Sequence, residues 1–314
     1  MIRTIPGWQG SGPLHWQTLW ERLDARVIRV EQDDWERPAL EAWRARLVEQ
    51  LAAGEPTVLV AHSLGCHLVA HAASELRGVV GALLVAPPWL ESAALPEPVR
   101  SFAPSPRVKL PFKSVLVASN DDPWCPLHVA RGYAADWGAR FVDVGAQGHL
   151  NSESRLGSWP EGRGFLRELT RALPFTLDAR LAADTHLIGE SPLSLLLLMD
   201  DARYPWCILV PKRSGVSEAF ELPPEDQGGL AAESALLASA MTQAFTADKL
   251  NVGALGNVVR QLHVHHVVRM LGDPAWPGPV WGHSPRVPRA VMDRRLVVDR
   301  LFSHASLAAR FERR

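Results

Sequence analysis

Two sets of residues in the chain have types and spacings that could do chemistry. In the first, Ser63 stands in Ala61-x-Ser63-x-Gly65 within "VLVAHSLGCHLVAH", and Asp121, Asp122 and His149 follow it in that order. A serine hydroxyl is a weak nucleophile. It needs a base to take its proton, here His149, and a carboxylate to orient the imidazole and steady its positive form. In the second set, "NVVRQLHVHH" (257–266) places three histidines within four residues. Side chains alternate along a strand, so Gln261, His263 and His265 share one face, while Leu262, Val264 and His266 share the other. Such a face could hold zinc, handle phosphate, or be an ordinary strand. Zinc needs three or four ligands, and no acid or cysteine stands nearby in the sequence. No metal is therefore expected, and His266 is read as packed or surface-placed rather than catalytic. A neutral imidazole can instead attack an α-phosphorus, with amides and a second histidine holding the phosphate oxygens.

These side chains need elements to position them. "PTVLVAH" is an apolar, valine-rich run that reads as a buried strand, and "CHLVAHAASELRG" reads as a helix. Ser63 falls at the turn between them. A turn this tight requires small neighbours, and it lifts the hydroxyl to the carboxyl end of the sheet, beside backbone N–H groups that can bind an oxyanion. "VLVASNDDPWCP" and "FVDVGAQGHLN" bring the acids and His149 to the same rim. Taken singly, each feature has a plain structural reading: the serine as a helix cap, Asp-Asp-Pro as a turn, Gly-His as a surface loop. Their order along one rim favours the catalytic reading.

The wider pattern alternates strands ("RVIRV", "VVGALLVAPP", "FKSVLVAS", "RFVDVG") with helices ("ALEAWRARLVEQLAAG", "HVARGYAADWGA", "GRGFLRELTRAL"). It predicts a parallel sheet covered on both faces over residues 1–173. Past Pro174 the pattern changes. "LSLLLLMDD", "PWCILVPKR", "LNVGALGN" and "QLHVHHVVR" read as strands beside one long helix, "GGLAAESALLASAMTQAFTADKL", capped by Asp226. That predicts an α+β domain over 174–285. The arginine-rich stretch 286–314 reads as a solvated helical tail.

The totals fit this division. A chain of 314 residues has room for two domains. Net charge is −1, with 47% hydrophobic and 21% charged residues, so neither nucleic acid nor a membrane is expected as a partner. Three irregularly spaced cysteines argue against a disulfide framework, and the longest apolar run, "LSLLLLM", is too short to span a bilayer. A soluble, cytoplasmic protein is expected.

"PGWQGSGPLHWQTLWE", "AHSLG", "NDDPWCP" and "GHLNSESRLGSWPEG" resemble the small serine hydrolase family that includes the retinoblastoma-binding-protein-9 hydrolase and YdeN. The resemblance covers about residues 1–173 and implies an α/β-hydrolase fold. On matching positions it implies Ser63 as nucleophile, Asp122 as orienting acid and His149 as base. The oxyanion hole would use the N–H of Leu64 and one from the loop near Trp8. Ala61 replaces the family's first glycine, and Asp121 is the other acid at hand. A small ester or amide is the implied substrate.

"LLLLMDDARYPWCILVPKR", "LNVGALGNVVRQLHVHHVVR" and "GPVWG" resemble the histidine triad (HIT) superfamily of nucleotide hydrolases and transferases, over residues 174–285. Here His263 falls on the central nucleophilic histidine, His265 on the third, Asn251 on the phosphate-side asparagine and Asn257 on a polar turn position. Gln261 stands where the first histidine belongs. A glutamine can donate a hydrogen bond to phosphate but carries neither a labile proton nor a charge. The resemblance implies a purine nucleotide phosphoramidate or dinucleotide as substrate, no cofactor, and a homodimer through the C-terminal domain. The resulting expectation is a bifunctional hydrolase. The alternative is a serine hydrolase whose second domain binds nucleotide or dimerises without turnover.

Overall fold

The computed structural model describes residues 1–314. The chain divides into two compact units, Met1–Pro174 and Phe175–Arg314. In the first unit the elements run β1 (Ile2–Ile5), α1 (Trp16–Leu23), β2 (Val27–Arg29), α2 (Leu40–Gln50), β3 (Thr57–His62), α3 (Leu64–Ala72), β4 (Val79–Val85), β5 (Lys113–Ala118), α4 (Leu127–Trp137), β6 (Arg140–Asp143) and α5 (Pro160–Thr170). The strands form one parallel sheet in the order β2-β1-β3-β4-β5-β6. Alternation along β3 feeds two cores. Leu59 and Ala61 pack with Trp43, Leu68 and Trp137 on one face; Val58 and Val60 pack with Trp16, Trp20 and Leu169 on the other. Burial on both faces explains why the strands read as continuous apolar runs. The order reverses between β1 and β3, which are paired through Ile5 and Ala61. Clefts in open α/β sheets form at the carboxyl ends of such a pair.

The second unit runs α6 (Ala179–Asp184), β7 (Thr185–Glu190), β8 (Ser194–Met199), β9 (Trp206–Pro211), α7 (Pro224–Phe245), β10 (Lys249–Gly253), β11 (Val264–Arg269), α8 (Val291–Phe302), α9 (Ala305–Arg310) and β12 (Glu312–Arg313). Its sheet is antiparallel, ordered β10-β11-β9-β8-β7-β12. One face packs Leu196, Leu198, Leu209 and Val268 against Leu237, Met241 and Phe245 of α7. The opposite face carries Leu195, Leu197, Trp206, Ile208 and Val267. No helix in the chain is long and apolar enough to cross a membrane, and Cys66, Cys125 and Cys207 are buried free thiols.

Several local expectations need correction. The long helix starts at Pro224, not at an Asp226 cap: a proline at the first helical position has its φ preset, and Asp226 instead pairs with Arg213 at 2.6 Å. The strand expected over Gln261–Arg269 begins only at Val264, because the amide of Gln261 bonds to backbone outside the sheet. Nor is the tail simply solvated. Val297, Val298, Leu301, Leu307 and Phe311 enter the α7-side core, and β12 pairs with β7.

Candidate functional sites

Ser63 lies between β3 and α3 with φ 54° and ψ −125°, a region that non-glycine residues avoid. Close packing enforces the turn. A Cβ on Gly65 would lie 2.3 Å from the Ile5 carbonyl oxygen, and one on Gly7 would lie 2.8 Å from Ser63 Cβ and 3.1 Å from Leu64 N. The loop after β1 therefore presses its backbone against the serine. Leu64 opens α3, where the first N–H groups have no partner within the helix.

The three residues expected at this rim come together. Ser63 Oγ is 2.9 Å from His149 Nε2. His149 Nδ1 is 3.0 and 2.9 Å from the two oxygens of Asp122, whose side chain is 2% exposed. A carboxylate only accepts, so Nδ1 carries the ring proton and Nε2 is free to accept the serine hydrogen. Asp121 faces elsewhere. It accepts from Ser119 Oγ at 2.6 Å and from Gly148 N–H at 2.7 Å, and these bonds hold its carboxyl below its ordinary range. It fastens the loop that carries His149.

Two further histidines support this loop. His62 Nε2 lies 2.9 Å from the His149 carbonyl oxygen, and the rings of His15, His62 and His149 follow one another at 4.7 and 5.1 Å. Burial first, then the Arg29 guanidinium, lowers His15 to about 3, and burial holds His62 well below its usual value. Both are neutral, so His62 donates to that carbonyl. Trp16 and Trp20 of α1 donate to the carbonyls of Leu150 and Ser158. His62 was visible inside "AHSLG", but no local signal gave it a partner 87 residues away. A cavity of about 470 Å³ opens over Ser63, lined by Trp8, Leu64, Pro88, Leu95, Val99 and Trp124 among others.

In the second unit, His263 and His265 line a cavity of about 570 Å³ together with Asn257, Trp206, Trp281 and Arg180. Their rings are 4.8 Å apart at 80°. His263 Nδ1 is 2.7 Å from the Gln261 carbonyl oxygen, which can only accept. The proton therefore sits on Nδ1 and the lone pair on Nε2. His265 has the opposite arrangement: the Trp206 indole N–H donates to its Nδ1 at 3.0 Å, which leaves the proton on Nε2. Burial, then the nearby His263 and His266, lowers His265 to about 3, so it stays neutral. His266 turns to the α7 face, 2.7 Å from Ser234 Oγ, and burial lowers it to about 4.

Two expected phosphate ligands are not brought to this cavity. Gln261 is 4% exposed; its amide oxygen accepts from Asp178 N–H at 2.8 Å and its amide nitrogen donates to the Thr176 carbonyl at 2.9 Å. Asn251 Oδ1 accepts from Arg269, which is itself paired with Asp273. Neither side chain lines the cavity. No three His, Cys, Asp or Glu side chains are grouped to hold a metal ion.

A family model described as serine hydrolase matches residues 2–168, and one described as HIT domain matches residues 180–271. Among solved structures, a histidine triad protein from Marinobacter aquaeolei VT8 is 52% identical over 42% of this chain and 97% of its own, with a TM-score of 0.41. A HIT protein from Sinorhizobium meliloti 1021 is 48% identical over 41% of this chain and 96% of its own, with a TM-score of 0.41. A YdeN-like hydrolase from Pectobacterium atrosepticum is 29% identical over 54% of this chain and 89% of its own, with a TM-score of 0.48. Among curated proteins, none matches the chain.

Proposed function

We propose that this chain, which belongs to the serine hydrolase family and carries a HIT domain, performs two hydrolytic chemistries. The observation that carries the first is the unbroken hydrogen-bond chain from Ser63 through His149 to Asp122. Ser63 Oγ attacks the carbonyl of a small ester or amide as His149 Nε2 takes its proton. Asp122 holds the imidazole in the accepting tautomer and steadies the imidazolium. The N–H of Leu64 and one from the loop near Trp8 would receive the developing oxyanion. His149 then returns the proton to the leaving group, and water releases the acyl group by the same steps in reverse. A fluorophosphonate probe should label the full chain and fail to label Ser63→Ala. Labelling that survives the substitution rejects the assignment.

For the second unit, the opposed ring protons of His263 and His265 carry the reading. Nε2 of His263 has the lone pair that attacks an α-phosphorus, while His265 presents an N–H to a phosphate oxygen. The products are a nucleotidyl–histidine and, after water attacks, a nucleoside monophosphate. Incubation with adenosine 5′-phosphoramidate and with diadenosine triphosphate should release AMP, and His263→Ala should stop that release. Release unchanged in His263→Ala refutes the histidine nucleophile. A second reading, nucleotide binding without turnover, is favoured by one observation: Gln261 spends its amide on backbone. Nucleotide binding by the unsubstituted chain with no AMP from either compound would select that reading. A homodimer through this unit belongs to the same proposal.

A further inference from the structure

Two of the three residues on the triad face carry no formal charge. Gln261 is neutral, and burial keeps His265 neutral. A phosphoryl substrate nevertheless brings at least one negative charge to His263, and the cavity walls show where a counter-charge resides. Three arginines and two aspartates line the cavity, and the carboxylates are not shared evenly among the arginines. Arg203 is bound by both oxygens of Asp201, at 2.9 and 2.6 Å. Arg286 pairs with Asp184 at 3.4 Å and with Asp200 at 3.2 Å. Arg180 has no carboxylate partner; Asp184, one turn further along α6, is taken by Arg286.

Arg180 lies in the first turn of α6, and its backbone N–H is capped by Asp178 Oδ1 at 2.9 Å. Asp178 and Thr176 are the residues that Gln261 grips. The residue in the first triad position thus fastens the segment that delivers the arginine. We infer that Arg180 supplies the positive charge which Gln261 cannot, with Gln261 as its positioning residue, and that the site takes nucleotides whose leaving group is a phosphate. This inference rests on the reading that the second unit handles nucleotides at His263.

The chemistry of the two leaving groups separates them. When His263 Nε2 attacks a phosphoanhydride, the P–N bond forms and the P–O bond to the leaving phosphate breaks. That oxygen takes the electron pair and departs as an anion, which needs a fixed positive charge nearby. Water then attacks phosphorus, the P–N pair returns to Nε2, and one water proton passes to solvent. A phosphoramidate instead loses an amine, which must gain a proton to depart. The walls of this cavity offer a permanent cation in Arg180, whereas Gln261 has no proton to give.

The test compares AMP release by the full chain from diadenosine triphosphate and from adenosine 5′-phosphoramidate, alongside calorimetric binding of ADP and adenosine. Arg180→Gln should lower kcat/KM for the triphosphate by about ten- to a hundredfold, the size of one lost charge-assisted hydrogen bond. It should lower the phosphoramidate by a clearly smaller factor, since that substrate carries less charge and its leaving group is an amine, and it should weaken ADP but not adenosine. Arg180→Lys should recover most of the loss. Gln261→Ala should reproduce the selectivity, with no added loss in the double variant. Equal losses on both substrates, or an unaltered triphosphate rate, overturn the inference and leave the reading of the site standing. If the unsubstituted chain turns over neither compound, nucleotidyl transfer is rejected and ADP binding decides Arg180. An ADP affinity that Arg180→Gln leaves unchanged, or no nucleotide binding at all, then overturns the inference.

Discussion

At the scale of single residues, the neighbours Asp121 and Asp122 separate by what they face. Asp122 meets His149 Nδ1, while Asp121 binds Ser119 and the backbone of Gly148. Asp122→Asn should leave the fold intact and lower kcat for an ester by roughly 10³–10⁴-fold, since an amide can present a donor to Nδ1 and reverse the imidazole tautomer. Asp121→Asn should cost far less activity, because it touches only the support of the loop. Steady-state kinetics on a p-nitrophenyl ester would measure both, and equal losses would show that the acids share one role. Spacing alone placed both acids at the rim without dividing them, and only the family resemblance singled out Asp122; the physical division depends on Ser119 and Gly148 arriving from two different segments. Gln261 shows the same limit: its partners Thr176 and Asp178 lie 85 and 83 residues away.

At the scale of elements, the turn between β3 and α3 was the most legible part of the chain. The valine run before Ser63, the small residues around it and the helical pattern after it all come from one continuous stretch. What that stretch could not give is the counterpart that makes the turn tight, the loop after β1. No strand was read at Ile2–Ile5, a four-residue element with a mixed pattern. Gly65→Ala tests this packing. Its Cβ would meet the carbonyls of Ile5 and Pro6 at 2.3 and 2.9 Å, both of them backbone atoms that cannot rotate away. The substitution should cost about 1–3 kcal/mol or more through overpacking. A thermal melt should show the loss in the first unit's transition alone, and an unchanged melt would show that the loop yields. In the second unit, alternation correctly sent His265 and His266 to opposite faces of β11. It failed at Gln261, which lies before the strand begins.

For the whole molecule, the histidines set a common acid limit on two otherwise separate cores. His15, His67 and His265 are lowered to about 3 and His266 to about 4, each chiefly by burial. An unfolded histidine titrates near 6.5. Below that pH the unfolded chain takes up protons that the folded chain refuses. Stability is therefore fully present above about 6.5 and falls as pH drops toward 3, by about 1.4 kcal/mol per pH unit for each such group. Thermal midpoints recorded from pH 8 to pH 5 should be flat at first and then decline for both units. His67→Gln should flatten the decline in the first unit only, and a decline that is the same with and without His67 would contradict its neutral burial. The glycines that clasp Ser63 have a different reach, because they decide where variation can enter. With Gly7 and Gly65 fixed by backbone on both sides, a library aimed at bulkier acyl groups gains nothing from diversifying the elbow. The tolerant positions are the exposed rim side chains Trp124, Ser152 and Glu153, so new substrate preferences in this chain should arise by recarving the mouth around an unaltered serine.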